Sequence, residues 1–229
     1  MLGYNQLRVA SNCVIRKEME LPKDVVFRSR EQYRAVQIAL KLLHTHPKSV
    51  AAFHNVAVLI LNGSSEIPNA LAATKYLRCA LRLDKNHTPS LVDIGVALLR
   101  LGKYRAAELV SKKALEIDEC LSTAHVTLTA SLSGQNKFTD AMKHARLALF
   151  YDSESASAHR NLAALFRSQG ESRAAVKHYR RVMQLDPYDM NNYSLLEVSL
   201  ISIGNQEEAI EVSKRKRIIA RQILRQSRQ

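Results

Sequence analysis

The 229-residue sequence has no tryptophan, 7 glycines, 5 prolines and 3 cysteines, and its 34 lysines and arginines are not matched by its 21 acidic residues. So few glycines and prolines exclude a turn-dense, strand-rich fold, which needs such residues at each reversal. Three scattered cysteines, Cys13, Cys79 and Cys120, are too few and odd in number for a secreted disulfide scaffold. They point to an intracellular, reducing compartment, with the cytoplasm as the first expectation. The longest unbroken apolar run, residues 56–61, is far short of the roughly 20 residues a membrane span needs. There is no Gly-rich phosphate loop, no paired-cysteine metal spacing and no nucleophile elbow, so no catalytic residue, cofactor or metal is expected. What remains is a globular composition, 46% hydrophobic and 24% charged, with a formal net charge of +13.

The chain repeats itself. Ala107, Ala141, Ala175 and Ala209 recur at one spacing, and Ala73 and Ala35 precede them at a slightly longer one. In the same register stand Val56, Ile94, Leu128, Leu162 and Leu196, followed four residues later by Ile60, Leu98, Leu132, Phe166 and Leu200. Gly102, Asn136, Gly170 and Gly204 lie between the halves of successive units, and Asp84, Asp118, Asp152 and Asp186 close four of them. Apolar residues at i, i+3/i+4 and i+7 mark amphipathic helices. A Gly or Asn mid-unit can take the left-handed conformation that ends the first helix. The recurrent alanine suits a close approach of two helix backbones. A single hairpin cannot bury its own apolar face, so neighbours must stack into an all-α solenoid of antiparallel helix pairs.

These residues resemble the tetratricopeptide repeat family over most of the chain. The copy Leu91–Ile94–Gly95–Leu98–Gly102–Tyr104–Ala107–Ala114 carries the resemblance best, and His159, Leu162, Ala163, Phe166, Gly170, Ala175, Tyr179 and Pro187 form a second. The resemblance implies a right-handed superhelical stack. Its expected divisions are a basic arm over 1–28, a half repeat over 29–48 and full repeats over 49–87, 88–121, 122–155, 156–189 and 190–229. Ser29 is expected to cap the first helix, with Gln32 reaching back as a capping box. Departures include extra residues in the turn at 62–68, Glu197 where the family has a small residue, and the charged pair Lys216 and Arg217 where earlier units have Ala and Leu. That pair leads us to expect a terminal capping helix.

The family is a protein-interaction family whose first helices line a concave groove. Carried over, that lining includes His54, Val58, Val92, Val96, Arg100, Val126, Arg160, Arg167, Ser194 and Val198. Small and aliphatic, with arginines as charged points, it suits an apolar helix or extended segment bearing an acidic residue. The Lys and Asn set by which some relatives clamp acidic chaperone tails is absent. His125 and His159 share a repeat position with Phe53, Leu91 and Tyr193, and are expected to pack rather than to ligate.

The charge is unevenly placed. Residues 49–212 hold 18 basic and 17 acidic residues, residues 1–48 hold 9 and 4, and residues 213–229 hold 7 and none. Lys214, Arg215, Lys216, Arg217, Arg221, Arg225 and Arg228 therefore form a candidate basic docking surface for RNA or an acidic protein. The main reading is a scaffold or adaptor subunit of a larger assembly. The alternative is an RNA-associated subunit of a ribonucleoprotein. The run from Lys214 to Arg217 also fits a nuclear import signal. The N-terminal segment, with Arg8, Arg16 and Lys17 and no acid before Glu18, has the composition of a mitochondrial transit peptide.

Overall fold

A computed structural model describes residues 20–63 and 66–226, with side chains through residue 223. Most of the expected N-terminal arm and Arg228 lie outside the described residues, as does the side chain of Arg225.

The chain divides into two compact units, Met1–Glu119 and Cys120–Gln229. The first holds α1 (Arg30–Thr45), α2 (Val50–Gly63), α3 (Ile67–Leu83), α4 (Thr88–Arg100) and α5 (Tyr104–Ile117). The second holds α6 (Ser122–Ser133), α7 (Phe138–Tyr151), α8 (Ala156–Ser168), α9 (Ser172–Leu185), α10 (Met190–Ser202) and α11 (Gln206–Gln226). No strand occurs among the described residues, and the fold is an all-α helical repeat. Within each unit every helix packs on the next, and the first helices of neighbouring hairpins, α2 with α4 and α6 with α8, also meet.

The repeat register is the core. Ala73, Ala107, Ala141 and Ala175 are fully buried, and Ala209 nearly so. Val56, Ile94, Leu128, Leu162 and Leu196 are buried opposite them, with Ile60, Leu98, Leu132 and Leu200. Phe166 and Ala35 are half-buried.

Four hairpin turns share one hydrogen-bond pattern. Lys103 N–H donates to the Leu98 carbonyl at 2.9 Å while Gly102 N–H donates to that of Leu99 at 3.0 Å. The same two bonds recur at Lys137 and Asn136, at Glu171 and Gly170, and at Asn205 and Gly204. They are Schellman closures, which satisfy otherwise orphaned carbonyls and require a left-handed residue. Gly102, Asn136, Gly170 and Gly204 supply it, with φ of 67°, 61°, 80° and 79°.

Second helices end on aspartates. Asp84, Asp118, Asp152 and Asp186 are the C-caps of α3, α5, α7 and α9. The Asp84 and Asp152 carboxylates accept from the N–H two residues on, the Asx turn that leads into the next helix.

One local feature differs from expectation. Ser29 caps α1 by accepting from Gln32 N–H, but the Gln32 amide reaches past the cap: its oxygen accepts from Arg28 N–H at 2.8 Å and its nitrogen donates to the Leu59 carbonyl at 3.0 Å. The reason is the segment before α1, which lies against the unit with Leu21, Val25 and Phe27 on its core. Asn69, fully buried on α3, pins that segment. Its side chain accepts from Val26 N–H at 2.9 Å and donates to the carbonyls of Val26 and Ile60 at 2.8 and 3.1 Å. Of the described cysteines, Cys79 is buried, and Cys120 is exposed because it falls in the turn between α5 and α6.

Candidate interaction surfaces

In the first unit the candidate lining lies on α2 and α4. Val58, Val92 and Val96 are half-buried, whereas Phe53, Val56, Ile60 and Leu98 on the other faces of the same helices are buried. The two polar candidates are engaged within the unit. His54 Nε2 is 2.8 Å from Asp93 Oδ2, and its ring meets that of His87 edge-on at 5.3 Å. Burial lowers the pKa of His87 and His54 lowers it further, against the opposing pull of Asp84 and Asp93. Arg100 donates to the Leu61 carbonyl at 2.6 Å, and burial followed by repulsion from Arg28 lowers its pKa.

In the second unit the candidates lie on α6, α8 and α10. Val126 is half-buried, and its carbonyl accepts from Asn161 Nδ2 at 3.0 Å. Val198 is 54% exposed. Arg160 bridges to the following repeat: Nε donates to Asn192 Oδ1 at 2.9 Å, and the terminal nitrogen lies 3.1 Å from Asp189 and 3.7 Å from Asp186. Two carboxylates offset its charge. Arg167 is exposed near the buried Tyr179 hydroxyl, whose pKa burial raises while Arg167 and Arg160 pull it down. Ser194 is met by Lys216, whose ammonium donates to its hydroxyl at 2.6 Å.

The basic candidates on α11 are therefore not equivalent. Val212 and Ile219 bury one face of the helix, with Ile223 packed beside them. Lys216 is half-buried and turned to Ser194, and Arg215 reaches Tyr193. Lys214, Arg217 and Arg221 are exposed, Lys214 pairing with Glu211 at 2.8 Å.

One constellation was not read from the sequence. His125 and His144 approach Nδ1 to Nδ1 at 3.0 Å between α6 and α7, and His159 and His178 do so at 2.9 Å between α8 and α9. The Tyr151 ring stacks on His125 and the Phe166 ring on His178. The signal was present: both members of the first pair recur one repeat later. Among the described residues no group of three or more His, Cys, Asp or Glu side chains could hold a metal, and no helix is long and apolar enough to cross a membrane.

Comparison with known proteins gives a consistent picture. Tetratricopeptide repeat family patterns match residues 88–119 and 158–189. No curated protein matches the sequence. Solved structures similar to the chain include MamA from Desulfovibrio magneticus, at 19% identity over 76% of this chain and 96% of that one, with a TM-score of 0.57. A thermophilic TPR protein of Thermus thermophilus is 15% identical over 73% of this chain and 90% of that one, with a TM-score of 0.64. YrrB, described as a TPR protein with an unusual peptide-binding site, is 17% identical over 81% and 93%, with a TM-score of 0.51. At these identities the likeness is one of fold.

Proposed function

We propose that this chain, which belongs to the tetratricopeptide repeat family, is a non-catalytic scaffold or adaptor subunit that binds a partner protein along the first-helix faces of its repeats. The observation that carries the reading is the composition of those faces. Val58, Val92, Val96, Val126 and Val198 stay partly or fully open on helices whose other faces are sealed in the core. An apolar helix or extended segment would recover that area at about 25 cal/mol per Å². Because Arg160 is already offset by Asp186 and Asp189, the exposed Arg167 is the point at which an acidic residue of the partner would be read. The peptide-binding description of YrrB is in keeping with this reading.

The test is affinity purification of the intact protein, with and without nuclease, beside the variants Val96→Asp and Val126→Asp, each checked for native helical content. Partners should survive nuclease and be lost from at least one variant. Loss of all partners on nuclease treatment, or a steep fall in capture between about 50 and 200 mM salt, would instead place binding on nucleic acid.

A further inference from the structure

We propose a second docking surface, distinct from the first-helix lining, on the outer face of the α10–α11 hairpin, and infer that it takes an acidic amphipathic helix of a partner protein. A cavity of about 410 Å³ opens there, lined by Glu197, Ile201, Ala209, Ile210, Lys214 and Arg217 among others.

The repeat itself shows what such a face is for. One unit earlier, the equivalent positions are Ala163, Ala175, Val176, Tyr179 and Met183, all buried in one cluster with Tyr193, Leu196 and Leu200 of α10. There the hairpin of α8 and α9 is the seat and α10 is the helix seated in it. In the α10–α11 hairpin these positions are Glu197, Ala209, Ile210, Ser213 and Arg217. Among the described residues no helix occupies this seat: Ile201 is 55% and Ile210 57% exposed. Ser213 in place of a tyrosine leaves the volume open.

The chemistry of the occupant follows from the substitutions. Ala209 and Ile210 keep an aliphatic floor and Ile201 extends it, which fits a Leu-like side chain. Ile210, Lys214, Arg217 and Arg221 are spaced four, three and four residues apart, so one stripe of α11 runs from apolar to basic. A seated helix needs a matching stripe of carboxylates beside its apolar anchor. A second copy of α11 brings like charges face to face, which is repulsive. RNA has no aliphatic group to fill the cavity.

The probe is a fluorescent helical peptide with two leucines four residues apart, flanked by glutamates on the same face, titrated into the intact protein and followed by anisotropy. Binding should weaken about tenfold or more in Ile210→Asp and in Lys214→Glu/Arg217→Glu. Ser213→Tyr, which restores the tyrosine of the preceding repeat, should weaken it without any change of charge. Arg146→Glu, an exposed base on α7, controls for net charge and should leave binding as it is. A lysine-for-glutamate version of the peptide should not bind. The proposal is overturned if the acidic peptide fails to bind, if a short single-stranded RNA binds as tightly, or if Ser213→Tyr and Ile210→Asp bind like the parent protein. Native helical content and thermal unfolding of each variant separate lost binding from lost fold. Groove binding is scored separately with Val96→Asp, so either reading can fail alone.

Discussion

At the scale of single residues, two positions show how differently one side chain can act. Gly102 sits at φ 67°, and a Cβ added there would meet nothing within 4 Å. Its replacement by alanine is therefore a test of backbone conformation alone, and Gly102→Ala should cost about 1–2 kcal/mol in denaturant unfolding. Asn69 is the opposite case, since its value lies entirely in its contacts. Asn69→Ala leaves the Val26 amide and two carbonyls without their partner and should cost about 1–3 kcal/mol. Asn69→Asp keeps the acceptor but loses both donors, so it should be no milder; a neutral result would show that water replaces the bonds. Gly102 was legible in the sequence because its repeat position and residue type announce it. Asn69 was not, because its partners are distant in the chain and nothing periodic marks it.

At the scale of the element, the paired histidines tie the stability of α8 and α9 to pH. His159 Nε2 faces the Ser153 carbonyl at 3.1 Å, which can only accept, so Nε2 carries a proton and Nδ1 is left to accept from His178. The pair shares one proton across this contact. His178 lies below its ordinary pKa, chiefly through burial, with repulsion from His159 and Lys177 added. The unfolded chain thus takes up a proton before the folded one as pH falls through about 6.5, and stability must decline. His87 acts in the same direction in the first unit. The melting temperature should fall from about pH 7.5 to pH 5.5, and less so in His178→Phe; identical slopes would remove His178 as a cause. His125 and His159 were visible as packing residues, but their pairing depends on how the hairpin closes, which periodicity does not give.

At the scale of the whole molecule, stability is local, because within each unit every helix packs on its chain neighbours. Ala175 is fully buried between helices, so Ala175→Leu overpacks the hairpin by about 1–3 kcal/mol. Hydrogen exchange should then show lost protection in α8, α9 and α10 while α1, α2 and α3 keep theirs; uniform loss would mean that the chain unfolds as one cooperative block. Charge is also a property of the whole chain that only its distribution explains. The stretch from 49 to 212 is nearly neutral, and the excess lies towards the ends.

The sequence by itself determined the helical repeat, its turns and the uneven charge. Each of these depends on local periodicity, on a residue's own backbone preference or on composition, and so can be read without coordinates. Only the tertiary structure decided which charges are already spent. Arg160 is held by Asp186, Asp189 and Asn192, Lys216 by Ser194 and Lys214 by Glu211, while Arg217 and Arg221 stay exposed on α11. It also decided that Ile201 and Ile210 beside them stay more than half exposed. The physical reason is the same throughout: a side chain's availability depends on what packs against it, and in a helical repeat those neighbours belong to other helices.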